Sequence, residues 1–280
     1  MDRYLFEKFV FQMDDETYAN ACVVISHCAR NIIKHPNSPT VTFNYYPQTS
    51  DRLQFVAEGE MNHQTIQIDG VKIHHTSPDV WKLKILSPIR GCDSSYLATC
   101  PDGNGLVAVR LVNKQVLGDI ETDCIIEPQM AAFAVDANIY ADYETYQSST
   151  SPSEVKERCL MADGFILATN FLINNAAHLT EEERNAKDHC FDNLVDVCGT
   201  ITTCFKYSLN MFGTQLNSYY IANIMTDFGQ LKVIIAQPLF PKNLDGFGAG
   251  NVFVGKVMLS GDVCIYDYEK YVSKLNNQFS

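Results

Sequence analysis

Near the start of the chain, apolar positions recur at spacings of three and four. Tyr18, Ala21, Cys22, Ile25, Cys28, Ala29 and Ile32 make one stripe, the signature of an amphipathic helix. The stripe predicts a helix over 16–34, capped by Asp14 or Asp15 and ended by the turn HPNSP at 35–39. The apolar period then drops to two. Strands are expected over 40–46, 52–57 and 64–75, the last with Asp69-Gly70 as a hairpin turn. Residues 1–79 therefore read as an N-terminal α+β unit.

Strand pattern dominates from residue 80. The pieces are 80–89, 95–100, 106–112 and 124–140, with the turn PDGNG at 101–105. The polar run QSSTSPSE at 147–154 reads as the start of a linker. Thr180 and Glu183 form a capping box for a helix over 181–192. Strands return over 194–207, 218–226, 231–236 and 252–266, with Asp227-Phe228-Gly229 as a turn. The expected division is 1–79, a first β module at 80–146, a linker with a short helix at 147–193, and a second β module at 194–280.

The two β regions repeat one plan. Each has a Ser-Tyr strand start, Ser95-Tyr96 and Ser218-Tyr219, and each closes on a related phrase, VDANIYADYETY at 135–146 and GDVCIYDYEKY at 261–271. In that match Asp136 falls on Asp262, and Ile139-Tyr140 on Ile265-Tyr266. Internal repetition of this kind points to a duplicated module.

In the second copy a long first strand has a central glycine, Gly199, and a late strand crosses Gly255 and reaches Gly261. Glycines inside strands mark the bends that a small closed barrel needs. The plan resembles the OB-fold, a five-stranded barrel that binds oligonucleotides and oligosaccharides. The first copy departs from it, with Pro128 in its late strand and no central glycine. The fold class implied is α+β, mostly β: an N-terminal α+β unit followed by two OB-like β-barrel modules related by internal duplication.

Composition narrows the function. The chain has 280 residues and a net charge of −12, which counts against a protein held to duplex DNA by a broad basic face. The acidity lies in the first two-thirds, since residues 194–280 carry 6 basic and 6 acidic side chains. The first residues are charged and aromatic rather than a signal peptide. With no long apolar run and ten cysteines inside apolar patterns, the expectation is a cytoplasmic protein with free thiols and no membrane partner.

No phosphate loop, dinucleotide fingerprint, nucleophile elbow or zinc-protease motif is present. No nucleophile–base pair can be named, so the expectation is a non-enzymatic binding protein without cofactor or metal. His74 and His75 read as surface histidines that cannot share one metal, because adjacent strand residues face opposite ways. Cys22, His27, Cys28, His189 and Cys190 read as packing residues, and Trp81 as core. The Tyr-Asp-Tyr-Glu phrase at 266–269 and its counterpart at 140–144 read as segments that pack on each barrel.

The residues that a ligand would use are Lys206, Lys232 and Lys256, on three different strands, with a tyrosine platform at Tyr219 or Tyr220. Aromatic faces stack bases and lysines follow phosphates, so single-stranded nucleic acid is the first expected partner. The second module contains no arginine. The alternative is an acidic interaction or inhibitory protein that docks on a basic protein partner.

Overall fold

A computed structural model describes residues 2–34, 39–47, 52–62, 65–89, 94–103, 105–149, 163–167, 194–226, 228–240 and 247–264. The helix at 181–192, His189, Cys190 and the 266–269 phrase lie outside them. The chain is mostly β, with more than one sheet. Among the described residues no helix is long and apolar enough to cross a membrane.

The N-terminal unit holds two helices and a four-stranded sheet. Helix α1 spans Asp2–Phe9 and α2 spans Asp15–His27. Asp14 caps α2 by accepting a 2.7 Å hydrogen bond from the Thr17 amide, which satisfies one of the free donors of the first turn. The expected helix to 34 stops early. Asn31–Lys34 is instead strand β1, paired with β2 (Thr40–Tyr45). The β-branched pair Ile32-Ile33 favours an extended strand over a helix end. Strands β3 (Leu53–Asn62) and β4 (Thr65–His75) complete the sheet in the order β1-β2-β3-β4.

Asp69-Gly70 is not a hairpin turn. The strand β4 runs straight through it, and Glu58 pairs with Gly70 while Gly59 pairs with Ile68. Asp69 is thus the extra residue of a β-bulge. Opposite it, a side chain on Gly59 would meet the Gln67 carbonyl oxygen at 2.4 Å, so only glycine lets the two strands close there.

The second sheet is built from β5 (Leu83–Pro88), β6 (Ser95–Thr99), β7 (Val107–Leu111), β8 (Ile125–Ile126), β9 (Pro128–Ala134) and β10 (Asn138–Tyr140). It continues through β11 (Asp163–Leu167), β12 (Leu194–Met211), β13 (Thr214–Thr226), β14 (Gly229–Ala236) and β15 (Val252–Val263). A short helix α3 (Lys114–Leu117) follows β7, and α4 (Tyr143–Ser149) follows β10. Tyr146 of α4 is buried against Cys198, Val252 and Val254, so the first of the two tyrosine phrases packs on the sheet as expected.

The pairings close two rings. In one, β12, β13 and β14 form an antiparallel meander, β14 runs parallel to β9, β9 is antiparallel to β15, and β15 returns to β12. In the other, β5, β6 and β7 form the meander, β7 runs parallel to the end of β15, and β8 returns to β5. The bridge from Val80 to Gln129 carries that last contact on to β9. Strands β9 and β15 therefore serve both rings.

One apolar core runs through both interiors, from Leu83, Ile85 and Val109 to Val195, Val233 and Phe253. A second core lies between the N-terminal unit and the outer face of β13, β14 and β9. Phe9 of α1 meets Phe133 and Tyr219 there, and Phe6 packs on Tyr18 and Phe55 in the same core. Asp136 and Asp262, matched in the sequence repeat, hold unlike positions. Asp262 lies within β15 opposite Gln129, whereas Asp136 follows β9 and donates its amide to the Lys256 carbonyl.

Candidate functional site

The five residues expected to form a ligand face do not converge. Strand pairing sets Lys206 of β12 directly opposite Tyr220 of β13. Cross-strand neighbours share a face, and the Lys206 ammonium lies 5.6 Å from the centre of the Tyr220 ring. Tyr220 in turn stacks on Phe240 at 4.3 Å, and Phe247 meets both rings edge-on. This aromatic group with its one cation is what remains of the expected platform.

Tyr219 points the other way, as alternation along a strand requires. It is fully buried, stacked on Tyr207 at 5.5 Å and covered by Phe9 of α1 at 5.8 Å. The side-chain amide of Asn217 pins the same helix by donating to the Lys8 and Val10 carbonyls. The outer face of β13, which carries Tyr219, one of the two tyrosines offered as the platform, is thus the seat of the N-terminal unit.

Lys232 and Lys256 are also committed. Lys232 is opposite Asn223 on β14 and closes on the Asp79 carboxylate, which also accepts from the Ser77 hydroxyl at 2.9 Å. Both members of that ion pair are mostly buried. Lys256 on β15 lies 3.5 Å from Asp196, its neighbour across the β12–β15 pairing. Beyond the seat of α1, the outer face of β12 and β13 presents Phe205 and Met225, both more than half exposed.

Trp81 is core, as expected. Its ring stacks on Phe228 at 5.1 Å and its indole N–H donates to the Gln230 carbonyl. The histidines are a correction: His74 and His75 are both buried. They do face opposite ways, but the end of β4 is covered on both sides, so neither reaches solvent.

His74 belongs to a polar seam between the N-terminal sheet and the second sheet. Its Nε2 lies 3.8 Å from the Asp262 carboxylate, too far for a hydrogen bond. Neither ring nitrogen has a hydrogen-bond partner. Arg110 of β7, 2% exposed, donates from Nη2 to the Ile73 carbonyl at 2.8 Å and lies 3.5 Å from the Ser260 hydroxyl. Burial, then the charge of Arg110 and the presence of His75, pushes the His74 imidazole down to about 3. Burial pushes the Asp262 carboxyl up. The sequence carried one signal for this seam, an arginine inside the apolar strand LVAVRLV.

Among the described residues no group of three or more histidine, cysteine or acidic side chains could hold a metal ion. The chain matches no family model, no curated protein and no solved structure.

Proposed function

We propose that the chain is a non-enzymatic binding protein that docks on a basic protein partner, and that its two rings are OB-like barrels related by internal duplication. The ring order supports the duplication. In each ring a three-stranded meander is joined in parallel at its third strand, and the closing strand is antiparallel to the first. The reading departs from a simple tandem, because each ring takes its fifth strand from the other copy.

The observation that carries the choice of partner is the fate of the lysines. Two of the three candidate phosphate contacts are closed on carboxylates of this chain. A single strand bound by Lys206 alone would gain little from counterion release. A net charge of −12 then favours a cationic polypeptide by long-range attraction.

A second reading rests on one contact. Lys206 over Tyr220, with Phe240 stacked behind, is a small base-stacking shelf beside a cation. The two readings separate in one titration at ~50 mM salt. A fluorescent basic peptide and a fluorescent oligothymidylate are each titrated with the full chain and read by anisotropy. Saturable binding of the peptide alone supports the protein partner. Binding of the oligonucleotide that Lys206→Glu abolishes replaces that reading with the second.

A further inference from the structure

We infer that the contact between the N-terminal unit and the second sheet is an acid-opened latch, in which protonation of His74 undocks the unit and bares the outer face of β13, β14 and β9. The inference stands whatever that face binds. It rests on what surrounds His74. The ring is 1% exposed, and no hydrogen bond satisfies either nitrogen. Such a side chain is tolerated as a neutral imidazole and penalised as a cation.

The neighbouring elements give an added proton little help. Strand β3 sets the neutral Gln54 directly across from His74, and its side-chain oxygen is likewise buried without a partner. On β4 itself His75 is adjacent and equally buried, and Lys72 is tied to Glu58. Strand β7 brings the permanent charge of Arg110, fixed to the Ile73 carbonyl just before His74. Strand β6 supplies only the neutral Ser95, opposite Arg110. Strand β15 supplies Ser260 and the Asp262 carboxylate, whose own ionisation burial opposes. A second positive charge here meets Arg110 in a desolvated seam, while an undocked unit would release the imidazole to water.

The docked unit also covers that outer face. Phe9 lies over Phe133 and Tyr219, and Leu209 and Met211 belong to the same core. Undocking would turn this buried apolar face into an exposed patch, of the kind that marks interaction sites. The latch therefore couples acidity to access.

The sign follows from linkage. In the closed state His74 stays neutral until about pH 3, whereas an imidazole released to water takes its proton near 6.5. Between those values the open state binds more protons, so opening is favoured as pH falls. From about pH 7.5 to about pH 5 the opening equilibrium should rise roughly thirtyfold at most, because Asp262, whose carboxyl burial pushes up, takes its own proton more readily in the closed state.

Amide hydrogen exchange on the full chain tests this, with rates corrected for the intrinsic pH dependence of exchange. Amides of α1, a helix of eight residues that is marginal once undocked, should lose protection by up to that factor at about pH 5, while amides of β6 and β7 keep theirs. In His74→Gln the acid sensitivity of α1 should vanish. Equal loss in every strand would mean global unfolding and overturn the latch, as would an unchanged pH response in the variant. A second measurement needs no substitution: the His74 ring resonances of the native protein should not titrate between about pH 7.5 and about pH 5. A native titration near 6.5 would overturn the inference by itself.

Discussion

Ala131 of β9 faces Ser260 of β15 across an antiparallel pair, and each has a parallel partner on its other side, Lys232 for Ala131 and Arg110 for Ser260. Taking Ala131 with Ser260 sets the late strands 129 residues apart (260 − 131), against the 126 (262 − 136) of matching Asp136 to Asp262 in the sequence. Each late strand therefore serves both rings.

The first prediction concerns independence. A chain of residues 194–280 lacks β9, which normally lies between β14 and β15. Its meander would be left with an open edge and an exposed interior. It should show little cooperative β structure by circular dichroism, and co-expression with residues 1–149 should restore it. A sharp thermal transition in the isolated fragment would show that the shared strand is dispensable.

The second concerns Gly255. Val135 and Asp136 cross tightly over β15, and both amides point at the Lys256 carbonyl. A side chain on Gly255 would meet the Asp136 carbonyl oxygen at 2.2 Å and the Phe253 ring at 2.9 Å. Backbone cannot yield as a flexible side chain can, so Gly255→Ala should cost at least ~1–3 kcal/mol by urea denaturation. Gly248→Ala is the control, since nothing lies within 4 Å of its added carbon. Equal midpoints for the two variants would remove the close-approach argument.

The strands were readable because their apolar period is a local property. Both meanders, β2 and the Asp14 cap all lie where the pattern put them. Partners were not readable. The run MAAFA in β9 is buried on both faces, with Ala132 and Ala134 in the core inside the rings and Ala131 and Phe133 beneath the N-terminal unit. Nothing in five such residues says which strands lie beside them. For the same reason Tyr219 and Tyr220 could not be told apart: each frame of SYYIANIMT faces a core, one inside the ring and one beneath α1. His74 and His75 carried a polar signal that was true of their chemistry and misleading about their burial.

A third prediction sorts the thiols. Cys28 and Cys264 are exposed, while burial alone pushes the Cys204 thiol up to about 12, and burial aided by Glu121 pushes Cys124 up to about 11. Alkylation proceeds through the thiolate. Near pH 8 a thiol at 12 supplies on the order of 10³-fold less thiolate than a free one near 8.5. Brief iodoacetamide treatment followed by peptide mass spectrometry should mark Cys28 and Cys264 well before Cys204 or Cys124. Early modification of Cys204 would mean that the sheet around β12 opens far more readily than its packing implies.

The last prediction ranks the three lysines. Lys232 and Asp79 are 18% and 15% exposed, so removing one leaves the other largely cut off from water. Asp79 would keep the Ser77 hydroxyl as a donor, which softens the loss but does not neutralise the charge. Lys232→Met should therefore destabilise by ~1–3 kcal/mol. Adding Asp79→Leu should recover most of it, because a buried ion pair replaced by apolar side chains is often close to neutral. Lys256 is 47% exposed and its pair with Asp196 is open to solvent. Lys256→Ala should stay within about 0.5 kcal/mol. Lys206→Ala gives up only a cation–π contact at an exposed site, on the order of 0.5–1 kcal/mol. Urea titration of these four variants and of Asp79→Leu alone gives the ranking directly, with the Lys232 and Asp79 variants read as a double-mutant cycle. If Lys232→Met proves the mildest of the three single lysine changes, its partner carboxylate is not buried as the structure has it. Lys232 would then return as a cation available to a ligand. If the ranking holds, Lys206→Glu costs little and, unlike Lys256→Glu beside Asp196, sets no carboxylate against its former ion-pair partner, so loss of oligonucleotide binding in Lys206→Glu would report on contact rather than on unfolding.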